Sequence, residues 1–508
     1  MLLTTLMLIP LVGSIVVFLL PAAKATLAKQ IALGFALATL VGSVLMVLGL
    51  DNSSGGLQHV ESYDWIPAFG ISWTLGVNGI SASLIVMAAI LVPVVIVAGW
   101  WDAENSGRGT VKGFFALILA LEVFIIGVFT ANDLFLFYVF FEAMLFPIYF
   151  LIGRFGGPQR AYAAMKFLLY SLVGGLFMLA ALIGLYVVSS RELGQGTFDY
   201  VTLTSLNIDP ATQKMLFLGF FFAFAVKAPM VPFHTWLPDA TAEATPGTST
   251  LLVGVLDKVG TFGMLHFLLP IFPEASKFYA PVIIVLAVIS IFYGALLAIG
   301  QTDVMRLVAF TSISHFGFIV LGIFVMTSQG LSGSSFYMVN HGFSTGALFL
   351  VMGYLVSRRG SKRIADFGGV QKVAPILTGV FLISGLSGLA LPGMSSFISE
   401  FLVLAGTYAV NPTAAIIATL GIVMAAVYIL WLYQRMMTGV PSKEVEETVT
   451  EISRRELVAI APVLAIIIAL GFVPQVALNV INPAVDQVQT YVGVTDPESA
   501  VVIEGSGS

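Results

Sequence analysis

The feature that most limits the fold of this chain is a succession of long apolar runs, each close to the roughly 20 residues a helix needs to cross a bilayer. Hydrophobic residues make up 58% of the 508 and charged residues only 10%, against about a quarter in soluble domains. A soluble fold of this length cannot hide so much apolar surface. In lipid the backbone must satisfy its own hydrogen bonds. The runs are continuous rather than alternating, which selects helices over a barrel. The chain has no cysteine, which excludes Cys-ligated iron–sulfur clusters, disulfides and thiolate metal sites.

The runs predict an all-α integral membrane protein with about fourteen crossings, at 2–20, 30–50, 79–99, 112–130, 134–152, 164–188, 214–232, 247–270, 279–300, 303–326, 333–356, 375–404, 412–434 and 456–477. The first run lacks a basic flank and reads as a retained helix rather than a cleaved signal. An even count puts both termini on one side. If the loop with Lys24 and Lys29 is cytoplasmic, only Arg191, Lys214 and Lys277 lie outside, and only Lys227 and Lys258 lie within spans. That asymmetry satisfies the positive-inside rule and places both termini externally. The region after Phe472 carries Asp486, Asp496, Glu498 and Glu504 but no Lys or Arg, as suits an external tail. The closing Gly505-Ser506-Gly507-Ser508 is read as a native tail or an expression scar.

Two stretches share a rhythm. Each opens with two helices joined by a short turn, at Ala131-Asn132-Asp133 and at Gly300-Gln301-Thr302. Each has a fourth helix interrupted by proline, at Lys227-Ala228-Pro229-Met230-Val231-Pro232 and at Ala390-Leu391-Pro392-Gly393. The expected organisation is an N-terminal three-helix segment (1–111), a five-helix repeat (112–270), a second repeat (279–434) inverted because five is odd, and a closing region with a loop, a last helix and the external tail (435–508). Inverted repeats with broken helices mark transporters. A proline in a helix removes a hydrogen bond and frees carbonyls. The bland alternative is that the prolines only kink their helices.

Titratable residues inside the spans are few: Glu122, Glu142, Lys227, Lys258 beside Asp257, His315, His341 and Glu400. A charge at mid-bilayer costs roughly 2.5–3.5 kcal/mol even on the lenient insertion scale, so each needs a partner or water. Burial moves acids up and bases down toward neutrality, and ion pairing does the reverse. Glu142, Lys227, Lys258, His315, His341 and Glu400 therefore form a candidate proton relay, gated by a Glu142–Lys227 pair. Structural ion pairs remain the alternative for the acids and lysines, and satisfied core histidines for His315 and His341. Glu122 reads equally well as a hydrogen-bonding group between helices. No functional role is read for His59, His234 and His266. A haem held by His315 and His341 finds little support, and no phosphate-binding GxxxxGK[ST] loop is present. The pattern suggests no nucleic-acid partner.

At these residues the sequence resembles a known family. Asp133-Leu134-Phe135-Leu136-Phe137-Tyr138 with Phe141-Glu142, then Val226-Lys227-Ala228-Pro229 through Pro232-Phe233-His234-Thr235-Trp236-Leu237-Pro238-Asp239-Ala240, are similar to the antiporter-like subunits of respiratory NADH:quinone oxidoreductase (complex I). Multisubunit sodium/proton antiporters belong to the same superfamily and supply the alternative reading. The likeness continues at Asp303, Arg306, Thr311-Ser312-Ile313-Ser314-His315-Phe316-Gly317-Phe318, Asn340-His341-Gly342 and Phe397-Ile398-Ser399-Glu400-Phe401.

The resemblance implies a proton-translocating subunit in which Glu142 pairs with Lys227, Lys258 is central, His315 and His341 line a hydrated axis, and Glu400 exchanges protons with the far side. Glutamate at Glu400 and the short region after the last helix imply the M-type. The implied setting is a bacterial plasma membrane, with lipids and L- and N-type subunits as neighbours. NADH, FMN, iron–sulfur clusters and quinone are implied in partner subunits, and no cofactor in this chain. Two positions depart from the family pattern: Thr241 stands where a histidine is usual, and Met305 where a basic residue often precedes Arg306.

Overall fold

A computed structural model describes residues 1–497. Apolar runs become helices because in lipid only the i→i−4 ladder satisfies the backbone within one segment. In chain order these are α1 (Leu2–Leu19), α2 (Ala25–Leu48), α3 (Gly79–Ala98), α4 (Val111–Thr130), α5 (Leu134–Phe155), α6 (Arg160–Leu193), α7 (Pro210–Lys227), α8 (Pro246–Ile271), α9 (Pro273–Ile299), α10 (Val304–Phe324), α11 (Ser328–Arg359), α12 (Pro375–Gly388), α13 (Ser395–Val410), α14 (Pro412–Met437), α15 (Arg454–Phe472) and α16 (Gln475–Val492). Twelve of them are long and apolar enough to cross a membrane.

Two expected crossings fall outside that set for visible reasons. The one drawn at 214–232 is α7, which opens with the polar turn Pro210-Ala211-Thr212-Gln213-Lys214 and ends at Lys227. The one drawn at 375–404 is divided into α12 and α13 around Pro392, with Ala390 and Gly393 at φ 54° and 94°. A positive φ at alanine is strained by about 1–2 kcal/mol, so surrounding packing must hold this break in place.

Two further elements depart from the sequence reading. Residues 51–78, read as a loop, contain an antiparallel hairpin of β1 (Gln58–Ile66) and β2 (Ile71–Val77). The region after Phe472, read as a tail, contains α16, which buries Leu478, Ile481, Val485, Val488 and Val492 along one stripe. That spacing makes an amphipathic helix too polar to span but apolar enough to dock. It packs against the residues that flank the hairpin: a Cβ on Gly55 would stand 2.0 Å from the Pro483 carbonyl oxygen, and one on Gly79, the first residue of α3, 1.6 Å from that of Val480. Residues 498–508, including Glu498, Glu504 and the Gly-Ser repeat, lie outside the described residues.

The contacts sort the loops into two faces. On one, Glu61 of the hairpin accepts from Leu3 N at 2.7 Å, Asp133 accepts from Ser72 N at 2.9 Å, and Asp496 accepts from Ser328 N at 2.8 Å. The start of α1 and the described end of the chain therefore share a face. The opposite face holds the cations: Lys29 meets Glu104 at 2.5 Å, Arg358 meets Glu456 at 2.6 Å, and Arg455 donates to Val97 O at 3.0 Å. At the centre, the apolar spans of α8 and α10 are buried throughout and that of α11 nearly so. By contrast α1, α2, α6 and α14 present Phe18, Val41, Phe177 and Val423 outward, each more than half exposed, as lipid-facing helices would.

Candidate functional site

The buried charges sit where helices lose their regular ladder. Lys227 is the last residue of α7, and the chain then turns through Ala228-Pro229 before the short helix Trp236–Glu243. The turn is tied back into the fold by the Trp236 indole, which donates to Val226 O at 2.9 Å. In α8, residues 252–256 and 264–268 form two π turns. Such turns free carbonyls from the ladder and recur at functional sites. Lys258, between them, folds back and donates to the carbonyl of Val253 inside the first π turn.

Around Lys258 the groups make a connected set. Its Nζ stands 2.6 Å from His341 Nδ1 of α11. The rings of His341 and His315 (α10) meet edge to face with centroids 5.3 Å apart. His315 Nε2 lies 3.2 Å from the Tyr428 hydroxyl of α14. Tyr337, one turn before His341, stands 5.9 Å from the His315 ring and donates its hydroxyl proton to Glu400 of α13. The sequence reading did not include Tyr337 or Tyr428. Tyr337 is four residues before His341, hence on its face of α11, and that spacing was available. Nothing in the spacing of α14 marks Tyr428.

The first half is looser. Lys227 is fully buried, and its Nζ has no hydrogen-bond partner; it lies 4.9 Å from the centre of the Phe141 ring and 5.6 Å from that of Phe167. Glu142 Oε1 is likewise without a partner and rests on Gly175 of α6, where a Cβ would come within 1.8 Å of it. The two feel each other's charge, yet among the described residues no ion pair joins them. The geometry is that of an opened pair. Asp257, fully buried with both oxygens unpartnered, is the other charge acting on Lys227. Glu122 is buried in α4 without a hydrogen-bond partner or a charged neighbour, and stands apart from this set.

Of the other histidines, His266 ties α8 to the hairpin face, with Nε2 2.9 Å from Asn132 Oδ1 and its ring stacked on Tyr200 and Phe262. His234 lies buried beside the α7 break, edge-on to Tyr293. Thr241 donates to Leu237 O at 2.9 Å and serves its own helix, and Met305 is buried.

On the cationic face, Asp239 joins α6, the short helix and α10 by accepting from Lys166 and Arg306, each at 2.6 Å. Burial alone would raise this carboxyl, but the two hydrogen bonds more than offset that and hold it below its ordinary value. Its contribution to stability is therefore present at neutral pH and is lost as pH falls through the lowered value. Asp239→Asn should destabilise the protein by about 1–2 kcal/mol at neutral pH, solvent screening included. Thermal unfolding of the purified assembly would show it, and the difference from the parent should close in acid. A cavity of about 410 Å³ opens nearby between the ends of α3, α8 and α11, lined by Asp102, Glu243, Lys362 and Arg455. Burial pushes the Asp102 carboxyl up to about 6 against the pull of Arg455 and Thr245.

Comparison with known proteins identifies the family and the fold. Residues 131–425 match the family described as NADH:quinone oxidoreductase/Mrp antiporter, TM. The chain is 49% identical to NADH-quinone oxidoreductase subunit M of Mycobacterium tuberculosis, over 98% of this chain and 96% of that one. It is 39% identical to subunit M of Rhodobacter capsulatus, over 91% of each. Among solved structures it superposes on a chain of respiratory complex I from Thermus thermophilus with a TM-score of 0.88 and 30% identity, covering 97% and 100% of the two chains. A chain of the Mrp complex from Dietzia gives 0.85 at 21% identity, over 97% and 99%, a likeness of fold alone. With a family match over more than half its length and relatives aligned almost end to end, the chain belongs to the NADH:quinone oxidoreductase/Mrp antiporter transmembrane family.

Proposed function

We propose that this chain carries protons across the membrane along Glu142, Lys227, Lys258, His341, His315 and Glu400, as the M-type antiporter-like subunit of a complex I. Its relatives make it a proton-translocating membrane-arm subunit of NADH:quinone oxidoreductase. The observation that carries the residue assignment is the continuous set from Lys258 through His341 and His315 to Glu400, buried in the innermost helices. Each charge moved against about 100 mV costs about 2.3 kcal/mol. Opening or closing a Glu142–Lys227 pair in a low-dielectric interior is of the size needed to gate that step.

Fourteen crossings, ten of them in two inverted five-helix repeats, suit this reading. The twelve apolar spans, α7 and the α12–α13 pair complete the count. Asp133 and Asp303 occupy equivalent places. Each caps its helix by accepting from the N–H groups two and three residues on, and each bridges a later loop, at Asp199 and Arg363. They do so on opposite faces. With the cationic face cytoplasmic, both termini are external and the membrane is the bacterial plasma membrane. L- and N-type subunits and lipids are the neighbours, while partner subunits hold NADH, FMN, iron–sulfur clusters and quinone. The second reading, a cation/proton antiporter subunit, rests on the shared family and on a likeness of fold.

The test uses the assembled complex in sealed vesicles. Lys258→Ala and Glu400→Gln should each reduce NADH-driven acidification about tenfold or more, while NADH oxidation by an artificial acceptor stays unchanged. Unaltered acidification in both variants would reduce the chain to a scaffold.

A further inference from the structure

Asp257 and Lys258 are neighbours in sequence but lie about 100° apart around α8. Side chains at i and i+1 on a helix do not face each other. Lys258 turns toward α11, where His341 takes its ammonium. The same side of α8 carries Gly254, whose Cβ position would lie 3.3 Å from the Gly342 carbonyl oxygen. Asp257 lies one turn before Gly260, on the side packed against the α7 break. A Cβ at Gly260 would stand 2.5 Å from Phe224 O and 2.6 Å from Ala228 N, the residue after Lys227. α8 is thus a partition, with Lys227 on one side and His341 on the other.

A carboxylate on that partition has an unusual environment. Asp257 is wholly buried, and among the described residues neither oxygen has a hydrogen-bond partner. The charged groups acting on it are Lys258 on its own helix and Lys227 across the α7 contact. Lys258 does not neutralise it by direct contact, because its Nζ is held by Val253 O and His341. Leaving a buried acceptor unsatisfied costs about 1–3 kcal/mol, more when it is charged. A purely structural acid would find a donor among the buried hydroxyls. This one is kept free between two lysines, next to a π turn in which its own N–H bonds to Leu252 O, five residues back.

We infer that Asp257 is the proton-carrying residue that links Lys227 to Lys258 through α8, joining the two halves of the path. This rests on the relay reading above. In the step, a proton leaves Lys227 Nζ and bonds to an Asp257 carboxylate oxygen. It then leaves that oxygen for the neutral Nζ of Lys258, which has passed its own proton to His341. Each transfer breaks one N–H or O–H bond and forms another, and no net charge appears.

The experiment is vesicle acidification by the whole complex carrying Asp257→Asn, with Asp257→Glu and Lys227→Ala in parallel. Asp257→Asn should lower acidification per NADH oxidised by about tenfold or more, with electron input to an artificial acceptor unchanged. Asp257→Glu should restore most of it. If Asp257→Asn pumps as the parent does while Lys227→Ala fails, the link through Asp257 is wrong and the relay stands. If Lys227→Ala also pumps, the relay itself falls and the link with it. A second measurement does not depend on assembly of the Asn variant. Infrared difference spectra of the parent during turnover should contain a carboxylic acid C=O band that moves in Asp257→Glu, and its absence would overturn the inference.

Discussion

Lys227→Ala should abolish proton translocation by the assembled complex while leaving the protein folded. Both halves of that expectation come from its surroundings. The ammonium is fully buried and makes no hydrogen bond, so its removal leaves no new unpaired donor. Its Nζ lies 4.9 Å and 5.6 Å from the centres of the Phe141 and Phe167 rings, so an alanine leaves an apolar-walled gap. Removing the ammonium also removes the cost of burying it without a hydrogen bond, and the two acids it leaves behind can remain neutral when buried. The functional loss is another matter. Lys227 is the basic group between Glu142 and Asp257, and no other lysine, arginine or histidine stands among the charges acting on either acid besides Lys258. Removing a proton-transfer group of this kind costs about 10²–10⁴ in rate. The measurement is acidification of sealed vesicles per NADH consumed, beside unfolding of the same preparation. A variant that pumps normally would refute the residue assignment. One that fails to assemble would contradict the stability argument.

Gly260→Ala should be the most damaging methyl group that can be added near the path. The atoms it would meet, Phe224 O and Ala228 N, belong to the backbone of the α7 break and cannot rotate away. Overpacking of this kind costs about 1–3 kcal/mol through shifts of whole helices. The shift here parts α7 from α8 and takes Lys227 away from Asp257, so pumping should fall more than stability. Gly34→Ala in α2 and Gly379→Ala in α12 are the controls. Each Cβ would meet nothing within 4 Å, and replacing a helical glycine should add up to about 1 kcal/mol of stability. If Gly260→Ala behaves like these controls, the close contact between α7 and α8 is not what holds the two lysines in relation.

Much of the site was legible because intramembrane charge is rare enough to enumerate. Lys258, His341, His315 and Glu400 were all named from the sequence; the first three meet in space, and Tyr337 connects Glu400 to them. Tyr337 was missed although its spacing from His341 places it on the same helix face. A tyrosine in an apolar run carries no charge to draw notice. The hairpin at 58–77 and the helix Gln475–Val492 were missed for a different reason. Attention to spans passes over short amphipathic elements, whose apolar stripe is real but half as dense. A Glu142–Lys227 pair able to open and close was expected from the residue types and from the family resemblance. In the fold the carboxylate instead rests on Gly175, a contact with a third helix that no pairing rule contains.

The sequence by itself determined where the chain can cross a membrane, which loops collect the cations, and which few side chains can titrate within. Each of these follows from the transfer of a single segment between water and lipid, a local quantity that a sliding window contains. Only the tertiary structure decided that Lys258 meets His341, that Glu400 meets Tyr337, and that Lys227 and Asp257 have no bonded partner among the described residues. Those depend on how helices distant in sequence interlock, down to which glycine admits which backbone. Packing at that scale is set by the whole assembly of helices at once and is written in no one of them.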